Sequence, residues 1–88
     1  MTATKEFTYD TTASAACCTS IHVALADGII QSIEIHDGCD GNHQGIAALV
    51  KGMTAAEAIR RLEGIDCEAR GTSCPDQLSK ALKAALAQ

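Results

Sequence analysis

The chain has 88 residues, a net charge of −4, one Phe, one Tyr and no Trp. This length predicts a single domain, over residues 5–88 after a disordered segment at residues 1–4. Its lysines and arginines are too scattered for a nucleic-acid surface, which needs a basic stripe and usually aromatic platforms. We find no stretch long enough to span a membrane and no apolar signal-peptide core. We therefore expect a cytoplasmic protein that binds neither nucleic acid nor membrane.

The first half of the chain predicts a small antiparallel sheet. Residues 5–10 alternate between polar and aromatic side chains, which indicates a short strand. Two further alternating segments flank Asp27-Gly28, a pair that favours a tight hairpin turn. The second strand of this hairpin is predicted to place four side chains on one face: Ile29, Gln31, Ile33 and Ile35.

Three helices are predicted after the hairpin. The first covers about residues 43–51, the second opens with the capping box Thr54–Glu57, and the third covers about residues 75–87. The buried stripes predicted for the first and third helices are Ile46, Leu49 and Val50, and Leu78, Leu82, Ala85 and Leu86. This order predicts an α+β fold, in which a three-stranded antiparallel sheet is covered on one face by three helices.

The segment Gly71–Leu78 carries the strongest local signal. Thr72 or Ser73 can cap the N-terminus of the last helix, and Pro75 fits the first turn because its missing N–H is not needed there. Cys74 then lies where unpaired backbone N–H groups and the helix dipole favour a thiolate, which binds metals and attacks disulfides. The alternative is that Cys74 is a small core residue.

All five cysteines lie at predicted boundaries between secondary-structure elements, which can converge at one end of a small domain. They are Cys17, Cys18, Cys39, Cys67 and Cys74. Thiols stay reduced in the cytoplasm, so this odd number favours metal or redox chemistry over structural disulfides. Four converging thiolates would hold zinc or an iron–sulfur cluster. The spacing contains no C-x-x-C pair and does not itself separate a metal site from a redox pair or inert thiols.

The three histidines are predicted to be surface residues. His22 and His36 are expected on the solvent side of strands. His43 follows Cys39 by four residues and could reach the same site, although an exposed position at the start of a helix is the simpler interpretation.

Several segments resemble the TSCPD domain family, which takes its name from Thr72-Ser73-Cys74-Pro75-Asp76. The other matching segments include Gly38–Ile46 and Leu49–Met53. The family occurs as small stand-alone proteins, which this chain resembles, and as the C-terminal domain of cobalamin-dependent ribonucleotide reductases. Small members are often labelled ribonucleoside-diphosphate reductase. The resemblance implies association with such a reductase rather than catalysis, because 88 residues cannot supply the large barrel that nucleotide and radical chemistry needs.

Carried over by position, the family's cysteines imply a metal site formed by Cys17, Cys39, Cys67 and Cys74. Cys18, directly after Cys17, departs from the family pattern and is the alternative to Cys17. The implied function is a small metal-binding module with zinc as the expected ion. The alternatives are a dithiol–disulfide module that supports a ribonucleotide reductase and an inert interaction domain with buried thiols. The implied partner is a ribonucleotide reductase or another redox protein.

A more distant similarity in layout is to the NifU-like iron–sulfur scaffold proteins. They also place cysteines before a hairpin, after it and at the start of the last helix. They carry an Asp two residues after the first cysteine, where this chain has Thr19 or Ser20, and they have no counterpart of Cys67. A fourth thiolate without that carboxylate favours a closed zinc site over an iron–sulfur cluster, which remains the alternative.

Overall fold

The computed structural model describes residues 4–14, 16, 18–38, 40–67, 69 and 71–87. Over these residues, three strands are followed by three helices, which confirms the predicted α+β order. The elements are β1 (Lys5–Asp10), β2 (Ser20–Ala26), β3 (Ile29–His36), α1 (Asp40–Val50), α2 (Ala55–Leu62) and α3 (Cys74–Leu86). The predicted disordered N-terminus falls largely on residues 1–3, outside the described residues. No helix in the described part of the chain is long and apolar enough to cross a membrane.

The strands form an antiparallel sheet in the order β1-β2-β3. Asp27 and Gly28 connect β2 to β3 with φ angles of 52° and 75°, the left-handed conformation that a type I′ hairpin turn requires. Gly28 adopts this conformation at little cost because it has no Cβ atom. The predicted hairpin is therefore confirmed, together with the backbone reason for its turn residues.

A bulge shifts the register of β3. Ser32 and Ile30 pair with consecutive residues of β2, so Gln31 is an extra residue on β3. Ile30 consequently faces the core with 1% of its surface exposed, whereas Ile29 is 38% exposed. The predicted common face is correct for Ile33, which is buried. It is wrong for Ile29, because an added residue moves the side chains on its far side to the opposite face.

The helices cover one face of this sheet. α3 packs on β1 and β2, α1 packs on β3, and α2 packs on α3. The largest fully buried side chains include Ile21, Ile30, Leu78 and Leu82. The stripe predicted for α3 is confirmed at Leu78, Leu82 and Ala85. It is wrong at Leu86, which is 44% exposed, because a helix can extend past the layer on which it packs.

The predicted cap of α2 is confirmed by a hydrogen bond. The Thr54 hydroxyl oxygen accepts from the Glu57 N–H at 3.2 Å. Thr54 also bridges to Ile29, and the Ala55 N–H donates to the Gly28 carbonyl at 2.7 Å. The start of α2 is thereby attached to the end of the sheet where the hairpin turn between β2 and β3 lies.

The bulge predicts different effects for two neighbouring isoleucines. Ile30→Ala should lower the free energy of unfolding by about 2–5 kcal/mol, the usual cost of truncating a buried isoleucine. Ile29→Ala should change it by about 0.5 kcal/mol, as a surface substitution does. Urea titrations followed by circular dichroism measure both values. Equal losses would contradict the observed register.

Candidate functional site

A cavity of about 500 Å³ opens where the first turns of α1 and α3 meet the loops before β2 and α3. Its described walls are Ala16, Gly41, Asn42, His43, Gly45, Ile46, Leu49, Cys67, Ser73, Cys74 and Pro75. Two of the four predicted ligands, Cys67 and Cys74, therefore line one cavity. Cys67 is exposed, whereas Cys74 is buried at the first position of α3. The backbone N–H groups of that helix turn favour negative charge.

The other two predicted ligands, Cys17 and Cys39, lie outside the described residues. Their neighbours in the sequence do line the cavity: Ala16 directly precedes Cys17, and Gly41 follows Cys39 by two residues. Within the described ranges alone, no group of three or more His, Cys, Asp or Glu side chains is arranged to hold a metal ion. The described residues thus contribute two of the four predicted ligands.

Three polar side chains fasten the loop before α3 to the first turn of that helix. Ser73 is the N-cap, and its Oγ accepts from the Asp76 N–H at 3.1 Å and donates to the Ile65 carbonyl at 2.6 Å. The Asp76 carboxylate accepts from the Gly64 N–H at 2.8 Å and from the Thr72 hydroxyl at 2.6 Å. Thr72, Ser73 and Asp76 are all buried. Such buried, fully paired polar groups specify one loop conformation.

The backbone of the same loop positions Cys67. The Cys67 N–H donates to the Thr72 carbonyl at 3.1 Å, and the Gly71 N–H donates to the Asp66 carboxylate at 2.7 Å. These bonds turn the chain back toward α3. They hold Cys67 beside the cavity that Cys74 lines.

Comparison with protein-family models shows the family to which this chain belongs. The TSCPD domain family model matches residues 2–86. The chain belongs to the TSCPD domain family. Comparison with curated proteins and with solved structures found no significant match. In this TSCPD domain, the segment that gives the family its name is the one whose Thr, Ser and Asp side chains hold the Cys67 loop on α3.

Cys18 lies in the core of the TSCPD domain and does not line the cavity. It is 2% exposed and packs with the buried aliphatic residues of the sheet and α3. The buried Thr11 hydroxyl donates to the Cys18 carbonyl at 2.8 Å and lies 3.5 Å from its Sγ. This environment assigns Cys18 a packing role. Cys17, the other cysteine of this pair, lies outside the described residues.

The position predicted for His43 is wrong. His43 is 5% exposed. α1 begins three residues earlier than predicted, so His43 lies inside the helix rather than at its exposed start. It lines the cavity, and its Nδ1 atom is buried without a hydrogen-bond partner among the described residues. The sequence allowed His43 to reach the cysteine site, but the exposed position favoured over this possibility is wrong.

A helical stripe through His43 could have revealed its burial. His43, Ile46, Ala47 and Val50 follow the i, i+3, i+4, i+7 spacing, and all four are buried or half-buried. The predicted stripe used Leu49 instead, which is 77% exposed and lies on the cavity wall. The predicted buried face of α1 therefore differs from the observed one: it included Leu49, at the cavity wall, in place of His43.

The other two histidines lie away from the cavity walls. His22 is half-buried on the outer face of the sheet, where its ring nitrogens pair with Thr8 at 2.7 Å and Glu6 at 2.9 Å. His36 is exposed at the end of β3. Their prediction as strand residues outside the core is confirmed.

The Asp76 network predicts a specific pH dependence. The Thr72 hydroxyl and the Gly64 N–H lower the pKa of Asp76, with a smaller contribution from Lys80. Since the folded-state pKa lies below the unfolded value of about 3.9, the carboxylate stabilises the fold above that pH. This contribution is lost as the pH falls through the folded-state pKa.

Asp76→Asn should therefore lower the free energy of unfolding at neutral pH, by about 1–3 kcal/mol for disrupted buried hydrogen bonds. The difference from the unmodified chain should shrink on acidification, which urea titrations from neutral pH down to about pH 3 can measure. Glu34→Gln, at an exposed position of β3, is the matched control and should behave like the unmodified chain. An Asp76→Asn variant with unchanged stability would contradict the role of this network.

Proposed function

We propose that this TSCPD domain is a small metal-binding module that holds zinc through four cysteines: Cys17, Cys39, Cys67 and Cys74. The observation that carries the proposal is that Cys67 and Cys74 line one cavity, whose other walls include sequence neighbours of Cys17 and Cys39. Four thiolates are the ligand set of closed structural zinc sites.

The donor chemistry of the cavity suits a thiophilic ion. Its described walls contain cysteine sulfur, an imidazole and largely apolar or glycine surface, and they include no carboxylate. Calcium and magnesium require oxygen ligands, whereas zinc and iron–sulfur clusters accept thiolates. We favour zinc over a cluster because four thiolates around one ion complete its tetrahedral coordination.

The proposed ion would stabilise the fold. Its ligands come from the loop before β2, the connection to α1, the loop before α3 and the first turn of α3. One ion would join these four segments at a single point. In zinc-finger peptides such binding supplies on the order of 10 kcal/mol of folding free energy. That contribution is large for a core whose two aromatic side chains, Phe7 and Tyr9, are only partly buried.

The proposed partner is a ribonucleotide reductase or another redox protein of the cytoplasm. This proposal is supported by the occurrence of TSCPD domains in cobalamin-dependent ribonucleotide reductases and by the five cysteines, which a reducing compartment keeps as thiols. In this association the domain would bind and support the reductase. Its own residues are assigned no catalytic step.

A dithiol–disulfide module is the second candidate. The observation that favours it is the exposure of Cys67 beside a cavity shared with Cys74. In that reaction the two thiols would lose two protons and two electrons and form a disulfide, while a partner's disulfide is reduced to two thiols. The third alternative, a domain with buried inert thiols, does not describe Cys67. Zinc content separates the first two candidates, because a metal-binding module holds a stoichiometric ion and a dithiol–disulfide pair needs none.

The metal proposal predicts that the chain contains zinc when it is purified anaerobically under reducing conditions. Elemental analysis measures this zinc content. Serine replacement at Cys17, Cys39, Cys67 or Cys74 should each remove the ion, because every thiolate is one of four ligands. Each variant should also lose much of its thermal stability, and chelation should have the same effect on the unmodified chain.

Cys18→Ala is the matched control for these variants. It should lose roughly 1 kcal/mol of stability, as a core substitution does, and retain its zinc. Zinc loss in Cys18→Ala with retention in Cys17→Ser would reverse the assignment of the two cysteines. The metal site would be refuted if the unmodified protein contained no metal and all four serine variants kept its stability. Thiols that then cycle with a measurable reduction potential would establish the second candidate.

A further inference from the structure

His43 carries a buried nitrogen atom that the described fold leaves unpaired. The residue is 5% exposed, and its Nδ1 has no hydrogen-bond partner among the described residues. Burying a polar group without a partner costs about 1–3 kcal/mol, so native proteins rarely leave one unsatisfied. His43 lines the cysteine cavity and also a smaller cavity beside β3, and a partner is therefore expected in one of these two places.

The walls of the cysteine cavity offer few acceptors for an imidazole N–H. The Ser73 hydroxyl is already engaged with Ile65 and Asp76. Asn42 is exposed and can be satisfied by water. Ile46 and Leu49 are apolar. Besides Ser73 and Asn42, the side-chain acceptors on the described walls are the sulfur atoms of Cys67 and Cys74 and His43 itself. Thiol sulfur becomes a strong acceptor when it is ionised.

We propose that His43 is a positioning residue of the metal centre, whose Nδ1–H donates a hydrogen bond to one of the coordinating thiolates. This inference rests on the proposed function. Four thiolates around a divalent ion carry a net charge of about −2, which is costly beside largely apolar walls. A hydrogen bond to a charged acceptor offsets part of that cost. The imidazole acts as donor rather than ligand because four cysteines already complete the tetrahedral coordination.

The test compares the zinc affinity of the full chain with that of four variants, by competition with a chromophoric chelator. His43→Leu should bind zinc about 10–100-fold more weakly, the usual effect of removing an outer partner of a metal ligand. His43→Asn should recover most of the affinity, because its amide N–H can take the place of Nδ1–H. His43→Gln, whose amide lies farther along the side chain, should not. His36→Leu, at the exposed end of β3, is the control and should bind like the unmodified chain.

A purely structural role for His43 predicts a different order. An apolar Leu would then serve at least as well as Asn, and Asn and Gln would be equivalent. The comparison of Asn with Gln remains decisive if the His43→Leu variant does not fold. Equal zinc affinity in the unmodified chain and all His43 variants would overturn the inference and leave the proposed metal site intact.

Cobalt substitution distinguishes a donor from a ligand. With Co²⁺ in place of Zn²⁺, the sulfur-to-metal charge-transfer bands report the thiolates, and the visible bands report the coordination. Both should keep their positions and intensities in His43→Asn. A change in coordination in that variant would make His43 a ligand and overturn its role as donor. An unmodified chain that binds neither ion would overturn the proposed function itself, and this inference with it.

Discussion

The cysteine-bearing end of the molecule depends on the hydrogen bonds that the Asp76 carboxylate accepts. The carboxylate is buried in the first turn of α3, where the helix dipole favours its charge, and it accepts hydrogen bonds from Thr72 and Gly64. Ser73 adds the cap of the helix and a bond to the preceding loop. The loop between α2 and α3 is thus fixed at both of its ends. These hydrogen bonds hold the described ends of the loop where Cys67 and Cys74 line one cavity.

The residues of the TSCPD motif therefore have two roles: some form a hydrogen-bonded frame, and one carries the thiol. Thr72, Ser73 and Asp76 form the frame, since their side chains bond to the loop and the helix turn. Cys74 is the thiol that the frame presents. Cys18 belongs to the same buried core as Cys74 but lies away from the cavity walls. Cys18 and Cys74 are both buried, so what distinguishes them is that Cys74 lines the cavity and Cys18 does not.

His43 connects the cavity to the rest of the fold. It lies on the same side of α1 as Val50, which belongs to the core, and it lines the cysteine cavity. Its unpaired nitrogen gives the cavity a polar group where most walls are apolar. A histidine in this position would couple the packing of α1 to the stability of the proposed site. Variation at this position would then tune metal affinity without altering the four cysteines.

The sequence by itself determined the features that depend on a few neighbouring residues. The Asp27-Gly28 turn, the Thr54 cap and a cap at Thr72 or Ser73 were predictable because each involves positive φ angles or hydrogen bonds within a few positions, and the structure decided for Ser73. The placement of Cys67 and Cys74 at element boundaries followed from the same local signals. The tertiary structure decided the bulge at Gln31, which places Ile30 rather than Ile29 in the core. It also decided the burial of His43 and the shared cavity, because these arise where segments distant in the chain pack together.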